Sequence, residues 1–357
     1  MERFRCETEI LTGPGAVSAL TGTEPRRVLV VTSARLAENG TAQRICQGVT
    51  CSRAEVFPVE RPTVRWAVEG MVRLKGFDPE QVIALGDSTV LDCAKAMVCF
   101  ARGGHRLTAV PTAPGPGTEV TEGALLLHEG RYHQLRHRLM QPQRAILDPE
   151  LLEPLDRQQW AQAGFAILAA ALEETAGRKG SAMGRVWSRE SFRSTWAALS
   201  AACAGDPAAR HRLQLAGTMA GLGRCGGGTG LCAGLCTVLG GVFSLPPERL
   251  CPVILPAVVR CNAGSIAGSY AALARAAGMG GSSPDTGAER LAGSLIWLRR
   301  ELGLPRSLVQ AGIAPAELRR QLRTVVDMAL EDPRCRSNPV PADDFLLRRL
   351  LESVARE

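Results

Sequence analysis

Aromatic residues and long apolar runs are both scarce in this sequence. Only 4% of its 357 residues are Phe, Trp or Tyr, so Ala, Leu and Val must fill most of the core. There is no unbroken run of about 18 apolar residues, the length that a membrane-spanning helix requires, and no membrane association is expected. With 45% hydrophobic and 22% charged residues, the composition is that of a folded protein, which excludes wholesale disorder, collagen-like repeats and coiled coil.

A strong charge of one sign is also absent. Lys and Arg number 42 against 35 Asp and Glu, which gives a net charge of +7, a small value for this length. No block of Lys and Arg with interleaved aromatic residues is present, so we expect no nucleic-acid partner. The first residues, MERFRCETEI, contain no apolar signal core, and the 12 cysteines show no disulfide framework. These features predict a cytoplasmic protein with reduced thiols.

The hydrophobic pattern of the first 150 residues differs from that of the rest. Short apolar runs alternate there with stretches of helical spacing, which favours a mostly parallel sheet covered by helices on both faces. The predicted strands are 26–33, 54–59, 81–87, 107–112, 123–130 and 144–149, and the predicted helices between them are 34–49, 63–77 and 88–103.

Strand patterns stop after residue 149, and only helical patterns follow. The sequence therefore predicts an α/β domain over residues 1–152 and an all-helical domain over 153–357, in agreement with the two domains expected for this length. The predicted helices of the second domain are 157–176, 188–204, 207–223, 229–243, 250–278, 285–302, 315–330 and 342–355.

Eight motifs along the chain occur in the order LTGPGAVSAL (11–20), VIALGDSTVLDCAKA (82–96), VPTAPGPGTEVT (110–121), AILDPELLEPL (145–155), GFAILAAALEE (164–174), AGTMAGLG (216–223), TVLGGVFSLP (237–246) and VILPAVVRCNAG (253–264). Together they resemble the iron-containing alcohol dehydrogenases, and within them the enzymes of propanediol and ethanolamine catabolism. The resemblance implies a dinucleotide-binding α/β domain followed by an all-helical domain, the dehydroquinate synthase-like fold. It also implies a NAD(P)-dependent oxidoreductase of alcohols or aldehydes.

The resemblance places the metal ligands of that family at positions that carry no donor atom here. The family holds one divalent metal with an Asp and three His, and the first two lie on one helix in the pattern G-x-D-x-x-x-H-x-x-E. The corresponding positions are Ala166, Ala170, Ala233 and Pro247. Methyl groups and a proline ring offer no lone pair to a metal, so no metal is expected. A histidine that lies near the nicotinamide in the family corresponds to Thr237, which is the candidate catalytic residue.

Two other groups of residues have a spacing that suits metal ligands. Cys232 and Cys236 are i, i+4 partners on one predicted helix, with Cys251 further along, and thiolates bind zinc. The spacing is not a recognised zinc pattern, however, and cysteine is a favoured small buried residue, so packing in the core is the preferred interpretation. His133 and His137 have the same spacing, but the arginines around them oppose a cation. This basic run forms a solvated face or contacts an anionic group such as a phosphate.

The nucleotide-binding motifs of the family are altered in this chain. In the family a strand ends in G-G-G-S, and the amides there and the start of the next helix hold the pyrophosphate. Here Asp87 adds a carboxylate, which repels phosphate if it faces the ligand but has little effect if it caps the helix. In the second motif, Ala113 and Pro116 replace two hydroxyl residues. The candidate cofactor-binding residues are Gly86, Asp87, Ser88, Thr89, Asp92, Thr112, Gly115, Gly117 and Thr118.

Three functions are consistent with these residues. The first is a metal-free pseudoenzyme, weakly active or inactive, that binds NAD or NADP weakly and forms a homodimer or joins an active relative, in the cytoplasm or in a bacterial microcompartment. The second is a working metal-independent NAD(P)H-dependent carbonyl reductase. Ser33 ends the first strand where many relatives carry an Asp that selects against a 2′-phosphate, so NADPH is not excluded as its cofactor. The third is a module that binds a small anion.

Overall fold

A computed structural model describes residues 4–20, 26–178, 180–225, 229–281 and 283–356. The chain divides into two units, Cys6–Pro154 and a second unit that contains Leu155–Glu357. The sequence predicts a boundary after residue 152, two residues earlier. Glu153 stays with the first unit because its amide N–H donates to the carbonyl of Thr112 at 2.7 Å.

A six-stranded parallel sheet forms the centre of the first unit. The strands of this unit are β1 (Glu9–Thr12), β2 (Arg27–Ser33), β3 (Arg53–Val59), β4 (Gln81–Gly86), β5 (Arg106–Pro111), β6 (Gly123–His128), β7 (Arg131–Arg136) and β8 (Arg144–Leu147). Their order in the sheet is β1-β8-β5-β4-β2-β3, and every neighbouring pair is parallel. The central strands are apolar along their length, which is typical of strands buried on both faces.

Helices cover both faces of this sheet, as the alternating pattern predicts. They are α1 (Ala34–Glu38), α2 (Thr41–Gly48), α3 (Val64–Phe77) and α4 (Ser88–Ala101). Successive side chains of a strand point to opposite faces. In β2, Leu29 and Val31 accordingly pack with α3 and α4, whereas Val28 and Val30 pack with α2.

Strands β6 and β7 form a separate antiparallel hairpin, which corrects one sequence-based expectation. The predicted strand 123–130 does not join the parallel sheet. His133 lies on β7 opposite Leu126, and His137 caps a short 3-10 helix, Arg138–Met140. The two histidines therefore share no helical face, and both are exposed, as the preferred interpretation of a solvated basic segment predicts.

The second unit is helical throughout the residues that the structure describes. Its helices are α5 (Arg157–Ala176), α6 (Ala182–Cys203), α7 (Pro207–Arg224), α8 (Leu231–Phe243), α9 (Pro247–Ala276), α10 (Pro284–Glu301), α11 (Leu308–Ala311), α12 (Pro315–Glu331), α13 (Pro333–Arg336) and α14 (Asp344–Ala355). Side-chain caps begin several of them: Asp156 and Gln159 form a capping box at α5, and Ser181 and Asp206 cap α6 and α7.

Helix α9 is long and apolar enough to cross a membrane, by length and composition alone. In this structure 56% of its most apolar stretch is buried inside the protein. A single helix of this kind is weak evidence for a membrane span, because a buried core helix passes the same test.

Candidate functional site

The predicted cofactor-binding residues gather at the carboxyl ends of β4 and β5. Gly86 lies opposite Pro111 in the pairing of these strands, and the amide N–H of Thr112 donates to the carbonyl of Gly86 at 3.0 Å. Strand β4 also adjoins β2, and the chain continues from these two strands to opposite sides of the sheet. Open α/β sheets bind ligands outside the carboxyl ends of strands at such a switch point. This edge of the first unit therefore has the topology at which such sheets bind ligands.

Asp87 is the N-cap of α4. Its backbone is extended and its carboxylate accepts a hydrogen bond from the amide of Val90 at 3.2 Å. Of the two sequence-based alternatives, the structure shows the capping one. The carboxylate nevertheless uses an amide at the helix N-terminus, where a phosphate would seek its donors. Desolvation by the surrounding protein raises the pKa of Asp87, and the charge of Glu153 adds to this, whereas the hydrogen bonds from Val90 and Thr89 oppose the shift.

Asp92 and Thr118 belong to a buried network under the loop that follows β5. The Thr118 hydroxyl donates to one Asp92 oxygen, and the other accepts the amide of Leu125 at 2.9 Å. Lys95, which is 1% exposed, donates to the carbonyl and the hydroxyl of Thr118 at 2.7 and 2.9 Å. These residues attach the loop and the β6–β7 hairpin to α4. Sequence reasoning missed Lys95, although its i, i+3 spacing from Asp92 was a usable signal.

The other candidates lie at the starts of helices and in the loop. Ser88 and Thr89 are the first two residues of α4. Gly117 has a φ of +78° and begins the 3-10 helix Thr118–Val120, and Gly115 lies in the loop before it. Ser33, at the end of β2, accepts the amide of Leu36 at 3.3 Å and so caps α1.

Glu153 is a residue of this edge that the sequence did not reveal. Its carboxylate accepts the hydroxyl of Thr112 at 2.8 Å and lies 3.5 Å from the guanidinium of Arg35. Two carboxylates, those of Glu153 and Asp87, and the guanidinium of Arg35 thus lie near the carboxyl ends of the strands. This charge distribution disfavours a pyrophosphate.

In the second unit, the four positions that the sequence resemblance assigns to the family's metal ligands lie on three helices. Ala166 and Ala170 are one turn apart on α5, Ala233 lies in the first turn of α8, and Pro247 begins α9. All four are half-buried. None has an oxygen, nitrogen or sulfur atom in its side chain, so these residues do not fit the iron that the family is named for.

Thr237, the candidate catalytic residue, is buried on α8. Its hydroxyl donates to the carbonyls of Ala233 at 3.0 Å and Gly234 at 2.8 Å. The proton of this hydroxyl is therefore engaged by its own helix. A role as a donor to a substrate carbonyl requires the side chain to leave both partners.

Glu173 caps α8 from the neighbouring helix α5. Its carboxylate accepts the amides of Cys232 at 2.5 Å and Ala233 at 3.2 Å, because the N-cap of α8, Gly230, has no side chain to do so. Burial raises the pKa of Glu173 to about 7, although these two amides oppose the shift. Near neutral pH this buried carboxyl can hold or release a proton.

Three cysteines meet between α8 and α9. Cys232 and Cys236 lie one turn apart, with their sulfur atoms 3.9 Å from each other, and Cys251 joins them from α9. All three sulfur atoms lie within 4.8 Å of one another, and all three residues are buried. The sequence predicted the first pair, and the structure identifies Cys251 as the third member.

Comparisons with known proteins cover almost the entire chain. A family model described as "Iron-containing alcohol dehydrogenase" matches residues 7–149, and one described as "Fe-containing alcohol dehydrogenase family, C-terminal" matches residues 160–354. A 1-propanol dehydrogenase of Salmonella typhimurium is 28% identical over 369 residues, which cover 99% of this chain and 100% of that protein.

Two solved structures confirm the predicted fold class. A 1,3-propanediol oxidoreductase has a TM-score of 0.91 at 20% identity, over 99% of this chain and 100% of its own. A sulfoacetaldehyde reductase of Bifidobacterium kashiwanohense, solved in complex with NAD+, has a TM-score of 0.86 at 20% identity and covers 99% of both chains.

Proposed function

The chain belongs to the iron-containing alcohol dehydrogenase family, and we propose that it is a member with little or no metal-dependent alcohol oxidation. One observation carries this proposal: Ala166, Ala170, Ala233 and Pro247 supply no donor at the family's ligand positions. An iron or zinc ion needs at least three donors at fixed geometry. A member of the family without that ion lacks the Lewis acid that would polarise the alcohol oxygen.

We propose weak binding of NAD or NADP at the carboxyl ends of β2, β4 and β5. The switch point supports a dinucleotide there, and the relative solved with NAD+ has the same fold. The Asp87 carboxylate, which caps α4, and the nearby Glu153 oppose a pyrophosphate. Repulsion of about 1–4 kcal/mol predicts a dissociation constant above about 100 μM.

The decisive experiment measures oxidation of 1-propanol by the purified protein with NAD+ and with NADP+. It is run with added Fe²⁺, with added Zn²⁺ and after treatment with a chelator. The 1-propanol dehydrogenase of Salmonella typhimurium, assayed in parallel, is the positive control. We expect no rate above the blank and no effect of the chelator. Turnover that depends on added metal would overturn the proposal.

The same preparation tests the two other functions that the sequence leaves open. Reduction of propanal by NADH or NADPH in the presence of chelator would favour the metal-independent reductase. We do not favour that function, because Thr237 donates its proton to its own helix and a hydroxyl is a poor general acid near neutral pH. A thermal shift with small anions but not with nucleotides would favour the anion-binding module. The homodimer, the partner-subunit role and the cellular location stay predictions.

A further inference from the structure

The three buried cysteines described above form a compact group of sulfur atoms. Cys232 is 0% exposed, Cys236 1% and Cys251 6%, and their Sγ atoms lie within 4.8 Å of one another. They come from two helices, so the group joins α8 to α9. None of the three residues occupies a position that corresponds to a ligand of the family metal.

The separation of the sulfur atoms is close to that of a thiolate metal site. A Zn–S bond is about 2.3 Å, which puts neighbouring sulfurs of a tetrahedral site about 3.8 Å apart. The Cys232–Cys236 distance is 3.9 Å, so this pair already has the required spacing. The Cys251 sulfur lies within 4.8 Å of the other two, so a movement of up to about 1 Å, within reach of a side-chain rotation, brings all three into range.

The surroundings of the cysteines oppose free thiolates. The buried Glu173 carboxylate already accepts the amide N–H groups of Cys232 and Ala233 at the start of α8, so a second negative charge there needs a cation beside it. Three thiolates without a cation would be too costly to bury, and a bound cation removes most of that charge.

We propose that Cys232, Cys236 and Cys251 form a binding site for a thiophilic d10 cation, Zn²⁺ or Cu⁺, that links α8 to α9. Binding releases the thiol protons as the metal–sulfur bonds form, with no change in oxidation state. Charge favours Zn²⁺, since three thiolates leave one net negative charge with Zn²⁺ but two with Cu⁺. Soft thiolate ligands select these ions over iron bound by oxygen or nitrogen.

The test uses the full-length protein, purified under reducing conditions without chelator and analysed for zinc and copper. We expect about one equivalent of zinc after equilibration with Zn²⁺. If the purified protein instead carries one equivalent of copper, the bound ion is Cu⁺. Cys232→Ser and Cys251→Ser should each lose most of it. Cys335→Ser is the matched control, because Cys335 is buried in the same unit but lies outside the group, and it should retain the metal.

Two measurements on the unmodified protein keep the test valid if a serine variant does not fold. Addition of Co²⁺ should give the near-ultraviolet absorption of thiolate-to-cobalt charge transfer, and titration with a mercurial should release the bound zinc as the thiols react. Absence of both signals in folded, reduced protein would overturn the proposal. So would unchanged metal content in the folded Cys232→Ser variant.

A disulfide from Cys251 to Cys232 or Cys236 is the competing outcome. It would appear as two fewer titratable thiols among the 12 cysteines of the unfolded, metal-free protein, and would overturn the metal site. The metal content and the oxidation of 1-propanol are measured separately, so the cysteine site and the proposed function can fail independently. Zinc at the cysteines without 1-propanol oxidation supports both proposals, whereas oxidation that persists in Cys251→Ser would contradict only the proposed function.

Discussion

At the scale of single residues, Asp87 shows how one side chain can suit the fold and oppose the ligand. It caps α4 through the amide of Val90 and places its charge at the N-terminus of that helix, where a phosphate would seek its donors. We expect Asp87→Gly to strengthen NADH binding about tenfold or more, because it frees the amide and removes the repulsion. Glycine at an N-cap costs only a few tenths of a kcal/mol of stability. Isothermal titration calorimetry measures the affinity.

Two further variants separate charge from capping. Asp87→Asn keeps a capping oxygen but removes the charge, so its affinity for NADH should lie between those of the other two proteins. Asp206→Gly is the matched control, since Asp206 caps α7 through the amide of Ala209 at 2.8 Å in the other unit. It should lose similar stability and bind NADH like the unmodified protein. Equal affinity of Asp87→Gly and unmodified protein would show that the carboxylate does not weaken binding.

Sequence reasoning found residues whose partners are close in the chain and missed those whose partners are distant. The Cys232–Cys236 pair was visible because i, i+4 residues share a helical face. Glu153 was not, because its bond to Thr112 spans 41 residues and depends on how β5 and the following chain meet. Cys251 was noted near the pair, but only the packing of α9 on α8 brings its sulfur to theirs.

At the scale of helices and strands, capping signals explain where prediction was accurate. Helix α5 has the predicted bounds 157–176, because Asp156 and Gln159 form a capping box at its start. Helix α6 begins at Ala182, six residues before the predicted start, since the cap is Ser181 rather than a residue near 188. The short edge strand β1 was missed, as its four residues carry little periodicity.

The close contact between α6 and α7 gives a prediction at this scale. A Cβ atom at Gly184 would lie 2.6 Å from the carbonyl oxygen of Gly223 on α7, and that backbone cannot move without shifting the helix. We expect Gly184→Ala to destabilise the protein by about 1–3 kcal/mol. Thermal unfolding followed by circular dichroism measures the loss.

The control for this variant is the same substitution at a helical glycine where an added Cβ atom would contact no other residue. Gly293 is exposed on α10, and a Cβ there would have nothing within 4 Å. Gly293→Ala should therefore raise stability by about 0.5–1 kcal/mol, through the lower entropy of the unfolded chain. If Gly184→Ala were as stable as Gly293→Ala, the close helix contact would be wrong.

At the scale of the whole molecule, the framework and the functional positions differ in how well they follow the family. The apolar pattern of the strands, the capping residues and the small residues at helix contacts were enough to predict both units, because each packs by rules that the sequence carries locally. Activity depends instead on a few donor atoms, and in our proposal Ala166, Ala170, Ala233 and Pro247 replace them within the same helical framework. Membership of the family therefore shows the fold more firmly than it shows the reaction.

Restoring the donors tests whether the framework still presents the family's site. In a Cys251→Ser background, which removes the proposed thiolate site, we expect the variant Ala166→Asp, Ala170→His, Ala233→His and Pro247→His to retain about one equivalent of iron or zinc. The first two positions share one face of α5, as a common metal requires. A control with Asn at 166 and Gln at the other three positions adds polar bulk without carboxylate or imidazole donors. Elemental analysis should find metal in the first variant and little in the second. A folded restored variant that binds no metal would show that these four positions no longer face one another as they do in the family.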